Sequence, residues 1–384
     1  MNSLETAFIA AGAVLYGPVT LVALLNLGLW RRERGDGSAP DASVSVLIPA
    51  RNEEETLAGC VEAAVSQGRG LAEVLIFNDL STDQTQAVID SLNEKFPGIV
   101  RQVPESELPV GWVGKPHACQ RLADHANSQW LLFVDADTRL RPGALDVLVA
   151  VAESRNATLL SAWPRIEMRS FAERFLMPLL NFVVFSLFPA PIARFRTGAS
   201  LGLAHGACIL AHRETYRRIG GHGLVQDRLF EDTALARAWR AHGENSQVTD
   251  GRMIATVRMY EDFEGIWDGF SKNYYPAFSS MFSFVAFQAF MALSAVLFPA
   301  GVIALILTGV LSPLWLFLAA FSLISRLLIA IRFRHPLWSV LLHPFAVTVM
   351  LALGFRSWWL SEHGGGVSWK GRRYGGSRVA AKHE

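Results

Sequence analysis

An α/β domain built on a wound parallel sheet, bracketed by membrane-spanning helices, is the architecture this sequence predicts, and three observations predict it. The 384 residues are 51% hydrophobic and only 18% charged, more apolar than a soluble enzyme of that length. The excess is concentrated, because residues 6–30 and 273–325 contain no Asp, Glu, Lys or Arg. Between these runs, short apolar stretches alternate with segments of helical periodicity, the pattern of strand–helix–strand units.

The membrane elements come first and last in the chain. A spanning helix needs roughly 20 apolar residues, so residues 6–30 predict one anchor and 273–325 predict two, broken by Gly309 and Pro313. A third C-terminal span is expected from about Leu337 to Trp359, with His343 and Pro344 inside it. The first run has no basic n-region and no small-residue cleavage site, which predicts a retained anchor rather than a removed signal. Arg31, Arg32 and Arg34 follow it, so the positive-inside rule places residues 31–272 in the cytoplasm as one domain of an integral protein of the inner membrane. The predicted organisation is one N-terminal span, this domain, about three C-terminal helices over 273–360, and a basic tail from 361 to 384. Four crossings would put the tail outside, yet Lys370, Arg372, Arg373, Arg378 and Lys382 favour the cytoplasm. Either one C-terminal segment is re-entrant or the tail is an exception, and a cytoplasmic tail is the preferred reading.

Cys60, Cys119 and Cys208 are odd in number and have no C-x-x-C spacing, which argues against a disulfide framework or a zinc site. A formal charge of +1 argues against a nucleic-acid surface.

Within the middle domain, VSVLIP (44–49), EVLIFN (73–78) and WLLFVD (130–135) read as buried strands, being short, apolar and bounded by loop residues. A weaker strand is expected near Ile99–Val103. NEEETLAGCVEAAVSQ, STDQTQAVIDSL and GKPHACQRLADHA read as helices; in the first, Leu57, Val61, Ala64 and Val65 recur at helical spacing behind acidic residues that suit a helix N-terminus. In a parallel wound sheet, ligands bind beyond the carboxyl ends of the strands. The polar clusters PARNEE (49–54), NDLSTD (78–83) and DAD (135–137) fall at those ends.

Each cluster alone has a bland alternative in turn or cap chemistry. Together they bring Asn52, Glu53, Asp79, Asp135 and Asp137 to one rim. Several carboxylates without a His or Cys ligand set suit a hard divalent cation, Mg²⁺ or Mn²⁺, completed by phosphate oxygens. In VGWVGKPHACQ (110–120), Gly111 and Gly114 allow close approach and Lys115 at a helix start can meet a phosphate, although the P-loop spacing fails; the alternative is a Gly-rich turn with a solvated lysine. Glu231 and Asp232 open a helix whose Leu235, Ala238 and Trp239 share a face, where capping is the competing role. Trp267 and Lys272 precede the apolar run and are matched equally well by an interfacial belt.

These motifs, in this order, resemble a membrane-anchored family 2 glycosyltransferase of the GT-A fold from about Ser43 to Asn273. GWVGKPHA, RMY followed by GFSKN, and VSWKGRRY (367–374) are most similar to hopene-associated glycosyltransferases, relatives of ceramide glucosyltransferase and carotenoid glycosyltransferases. The resemblance implies that Pro49, Asn52, Glu53 and Asp79 hold the nucleotide, with Gly114 and Lys115 along its diphosphate or ribose. It implies that Asp135 and Asp137 form the metal motif, Asp137 being the direct ligand, and that Asp232, beside Glu231, is the general base of an inverting transfer. The Q/R-x-x-R-W motif of processive relatives is replaced by EGIWDGFSKN, so the roles of Trp267 and Lys272 do not transfer one to one.

The stretch FLMPLLNFVVFSLFPAPIA (175–193) has no charge and lies between the metal motif and the base. A span there would separate Asp137 from Asp232, so an interfacial or re-entrant segment broken by Pro178, Pro189 and Pro191 is expected, a buried core helix being the alternative. Such a segment suits a lipid acceptor. The predicted function is transfer of a sugar from a nucleotide-sugar donor, UDP-linked in the preferred reading, to a membrane lipid such as a hopanoid. The alternatives are a polyprenyl-phosphate or polysaccharide transferase and a non-catalytic scaffold.

Overall fold

The structure is a computed structural model that describes residues 3–30, 33, 42–307, 313–364 and 366–374. Arg31, Arg32, Arg34, Gly309, Arg378 and Lys382, to which the sequence assigns topological roles, lie outside the described residues. The chain forms two compact units. One is α/β and comprises Arg31–Glu167, Ala193–Met259 and Gly364–Glu384; the other is helical and comprises Met1–Trp30, Met168–Ile192 and Tyr260–His363.

In the α/β unit the strands are β1 (Val44–Ala50), β2 (Leu71–Asn78), β3 (Val100–Gln102), β4 (Trp130–Val134), β5 (Thr138–Leu140), β6 (Leu159–Trp163), β7 (Arg165–Ile166), β8 (Cys208–His212), β9 (Ser246–Asp250), β10 (Ala255–Val257), β11 (Val367–Trp369) and β12 (Arg372–Tyr374). The main sheet has the order β3-β2-β1-β4-β8-β6-β9. The four strands expected from the short apolar runs are β1 to β4, and they pair in parallel. The sheet as a whole is mixed, which corrects the expectation of an all-parallel one. β8 runs antiparallel to both β4 and β6, with Val134 opposite Cys208. The chain therefore enters β8 at the end where β4 leaves, and the loop before β8 joins the same rim.

The pleat of the central strands sends side chains into two cores, one on each face. Val44, Val46, Ile48 and Ala50 pack with the helices Leu57–Val65 and Ala144–Ser154. Leu47, Leu75 and Phe77 pack with the helices Gly114–His125 and Glu231–Ala241. Burying each such aliphatic or aromatic side chain contributes roughly 1.5–3 kcal/mol. Trp239 is fully buried in the second core, and its indole N–H donates to Thr158 Oγ1 at 2.9 Å, so its polar end is satisfied as well.

In the helical unit, Tyr16, Val19, Ala23 and Asn26 on the helix Ser3–Leu29 are buried at helical spacing. Asn26 Nδ2 donates to the carbonyls of Phe185 and Phe188, at 2.9 and 2.7 Å, while its Oδ1 accepts from the Ala190 amide. These bonds satisfy backbone groups that the break between the helices Pro178–Leu187 and Ala190–Phe195 leaves open. Pro178 stands at an expected break, where the helix Phe171–Leu176 ends and the helix Pro178–Leu187 begins. It occupies the first turn of the second, where its missing N–H costs nothing.

By length and composition, two helices among the described residues can cross a membrane, Ile9–Leu29 and Met281–Ala304. The helix Pro313–Phe333 carries Arg326 and Arg332, and His343–Glu362 carries Arg356. The third C-terminal span, expected to be continuous from Leu337, is instead a short helix, Trp338–Leu341, and a separate one that starts at His343, with Pro344 in its first turn.

Candidate active site

β2, β1 and β4 are neighbours, so their carboxyl ends deliver the three polar clusters to one edge. The turns after β1 and β2 are tied together. Asn52, with φ of 52°, accepts at Oδ1 from the Thr82 amide at 2.8 Å and donates its own amide to Ser81 Oγ at 3.0 Å. The Asn52 side chain thus holds NDLSTD in place. The Glu53 carboxylate accepts from Thr56 Oγ1 at 2.7 Å and pairs with Lys370. Asp79 is buried, its amide bonds to the Ala50 carbonyl at 2.8 Å, and one carboxylate oxygen pairs with Arg372. Pro49, the sixth residue of β1, lies opposite Phe77 of β2 and is partly buried.

After β4 the chain turns at Asp135, whose carbonyl accepts from the Thr138 amide at 2.9 Å. This is the bend that two acids at i and i+2 require in order to share a rim. Their carboxylates have different partners. Asp135 Oδ1 lies 2.8 Å from Lys115 Nζ, and the same ammonium lies 2.8 Å from Glu231 Oε1. Burial opposes the charge on Lys115, but the two carboxylates outweigh it and raise its pKa well above the usual lysine value. For Asp137, the hydrogen bond found is a long one from Thr138 Oγ1, at 3.4 Å. Burial, followed by the negative charges of Asp135 and Glu53, pushes it up to about 7.

Asp232 lies in the first turn of the helix Glu231–Ala241. It accepts from the Thr233 amide at 2.6 Å and from the Gly206 amide at 2.8 Å. Burial and the neighbouring Glu231 still push it up to about 7. Gly206 belongs to the loop that β8 draws to the rim. A Cβ on it would stand 2.7 Å from Lys115 Nζ, 3.4 Å from Asp135 Oδ2 and 3.5 Å from Asp232 Oδ2. Lys115, Asp135 and Asp232 thus meet around one bare backbone position.

This loop, Ala204–Ala207, is a part of the rim that sequence reasoning missed. His205 holds its shape: its amide donates to Ser161 Oγ at 2.8 Å, and its Nδ1 accepts from the Ala207 amide at 3.2 Å. Burial pushes His205 down to about 4, so the imidazole is neutral, as that acceptor role requires. A glycine after a histidine carries no local signal; what makes it matter is the antiparallel placement of β8.

Gly114 has a comparable constraint. Its absent Cβ would lie 2.6 Å from both Arg372 Nη1 and Asp79 Oδ2. Trp267 and Lys272 sit on the helix Phe263–Asn273 of the helical unit. There Arg356 lies over the Trp267 ring at 5.8 Å.

No group of three or more His, Cys, Asp or Glu side chains among the described residues forms a ready-made metal cage. The donor set still fits a hard cation of the kind that takes one or two carboxylates and leaves its other positions to phosphate oxygens and water. Asp137 is the under-compensated carboxylate that such a cation would satisfy.

A model of the family described as Glycosyl transferase family 2 matches residues 45–220. The 4,4'-diaponeurosporenoate glycosyltransferase of Staphylococcus aureus (strain USA300) is 27% identical over 349 residues, covering 86% of this chain and 88% of the relative. Its counterpart from strain MRSA252 matches to the same extent. Among solved structures, the mannosyltransferase PcManGT from Pyrobaculum calidifontis, in complex with GDP-Man and Mn²⁺, superposes with a TM-score of 0.54 at 18% identity, covering 91% of this chain and 99% of that one. The last likeness concerns the fold alone. The chain is a glycosyltransferase with a GT-A-like α/β fold and a mixed sheet. Its residues 45–220 are a family 2 glycosyltransferase domain.

Proposed function

We propose that the protein transfers a sugar, with inversion, from a nucleotide-sugar donor to a membrane lipid, and that a divalent cation assists. The observation that carries this reading is the convergence on Gly206 of Asp135, Lys115 and Asp232. It gathers a metal motif, a cation for phosphate and a base within one side chain's reach. Asp137, with Asp135 behind it, would hold Mg²⁺ or Mn²⁺, which when bound neutralises charge on the leaving diphosphate. Lys115 adds a fixed positive charge along the same diphosphate.

Asp232 takes the proton of the acceptor hydroxyl as the new glycosidic bond forms. A base near 7 is matched to neutral pH, being ionised often enough to act and basic enough to accept. The two amides that grip its carboxylate orient it, and Glu231, held by Lys115, keeps the negative field around it that favours proton uptake. Glu53 and Asp79 are assigned to the nucleoside.

Several observations support a lipid acceptor and membrane attachment. Val14, Leu21, Phe282 and Val285 of the helical unit are exposed apolar side chains on long apolar helices. The same unit has an open groove of about 560 Å³ lined by Phe171, Arg174, Trp338, Leu341 and Leu342. The S. aureus relative is named for an apolar acid acceptor. In this reading the tail bears on the number of crossings. Lys370 and Arg372 pair with Glu53 and Asp79 of the α/β unit, which favours an even number of crossings between Asn273 and Gly364. That supports two C-terminal crossings rather than three, with tail and catalytic domain in the cytoplasm.

The test uses full-length protein in detergent with UDP- and GDP-sugars, Mg²⁺ or Mn²⁺, and total membrane lipid, following nucleotide release. Lipid-dependent release that Asp232→Asn abolishes is the expected result. Release that survives the substitution unchanged would sink the base assignment.

A further inference from the structure

The C-terminal hairpin stands where a simple tail would have no reason to be. β11 and β12 are joined by two residues, Lys370 and Gly371, with φ of 45° and 79°. Positive φ at both central positions defines the tight hairpin turn whose twist suits paired strands, and it aims the turn at a fixed target. The target is the edge formed by the turns after β1 and β2. Lys370 Nζ pairs with Glu53 and reaches the Asn52 carbonyl at 3.3 Å. The Lys370 carbonyl accepts from Arg51 Nε at 2.9 Å, and Arg51 Nη1 also binds the carbonyls of Asp79 and Leu80. Arg372 pairs with Asp79 Oδ2, and Tyr374 is buried beside Gly114.

One atom in this arrangement has no partner. Asp79 is 5% exposed, and its Oδ1 is buried without a hydrogen bond. A purely structural staple would close both oxygens, since a buried acceptor left open is unfavourable. Here Arg372 pairs with the carboxylate and fixes its plane through one oxygen, leaving the other as a buried acceptor without a partner. The missing partner is an N–H or O–H donor, which a nucleobase or a ribose supplies. Gly114 lets the hairpin close on this edge, because any side chain there would collide with Arg372 and Asp79.

We propose that the C-terminal hairpin is a wall of the donor's nucleoside subsite, in which Arg372 positions Asp79, and Lys370 positions Glu53, for hydrogen bonds to the nucleoside. This rests on the transfer reading above. Arg372 and Lys370 are positioning residues, acting through the two carboxylates.

The experiment measures UDP and GDP binding by calorimetry, and donor KM and kcat, on the full chain in detergent. Arg372→Gln should raise donor KM about tenfold or more while kcat stays within about threefold, since the effect falls on a contact made equally in ground and transition states. Arg372→Lys should recover part of the loss by keeping the charge. Lys370→Gln, at a partly exposed turn, should raise KM a few-fold with unchanged thermal unfolding, and Lys95→Gln, at an exposed pair with Glu62, should change nothing. Should Arg372→Gln fail to fold, Arg372→Lys and Lys370→Gln decide. Wild-type affinity in both would overturn the proposal, as would a loss in kcat alone. Wild-type protein that binds neither nucleotide would overturn the transfer reading itself, which is a different outcome from variants that bind like wild type.

Discussion

The two ends of the rim treat their carboxylates in opposite ways. At the β1–β2 end, Glu53 and Asp79 each pair with a cation from the tail. At the β4–β8 end, Lys115 pairs with Asp135 and Glu231 but leaves Asp137 and Asp232 to burial and like charge, which raise both to about 7. A carboxylate paired with a cation serves as a fixed acceptor. An under-compensated one gains from a cation or a proton, which is what metal binding and base catalysis need. Under the proposed function, the difference separates a binding end from a reacting end.

The largest effect should come from removing the reacting end's proton acceptor. Asp232→Asn keeps the amide contacts in outline but cannot take a proton, and kcat should fall by about 10²–10⁴-fold with UDP or GDP affinity retained. Equal loss of nucleotide affinity would show that Asp232 belongs to the binding end. Asp137→Asn is next: a loss of about 10²–10³-fold, partly recovered at higher Mn²⁺, is expected if it holds the charge-neutralising ion. Activity indifferent to both the substitution and metal chelation would break the comparison at that residue.

A pH profile sharpens the comparison further. Asp232 must be deprotonated to act, and its pKa is raised to about 7. Therefore kcat/KM should fall as pH drops through about 7, by about tenfold per unit below it. The residual activity of Asp232→Asn should lack that limb. The smallest effect is expected at Gly206→Ala. The new methyl meets the flexible end of Lys115 rather than backbone, so unfolding temperature should hardly change, while displacement of the ammonium from Asp135 and Glu231 should lower kcat several-fold, about 1 kcal/mol or less. A large stability loss would mean that the loop, not the lysine, is what the glycine protects.

Much of the rim was legible in the sequence. Four strands and the three helices between them were readable because short apolar runs and 3.6-residue spacing are local patterns, and the polar residues that end a buried strand mark where it leaves the core. Asp79, Asp135 and Asp137 follow from that alone. The antiparallel course of β8 was not readable, because Cys208–His212 is as short and apolar as a parallel strand and nothing in it encodes direction. Gly206 was hidden with it. The continuous span expected from Leu337 failed because hydropathy does not register the break at Leu342.

The sequence by itself determined which carboxylates reach the strand ends, since strand period and chain polarity are properties of neighbouring residues. Only the tertiary structure decided which of them are neutralised. Arg372 meets Asp79 and Lys370 meets Glu53 across nearly the whole chain, and Lys115 is shared between Asp135 and Glu231. Charge compensation depends on distance in space and on burial, and these are set by sheet order and by the folding back of the tail.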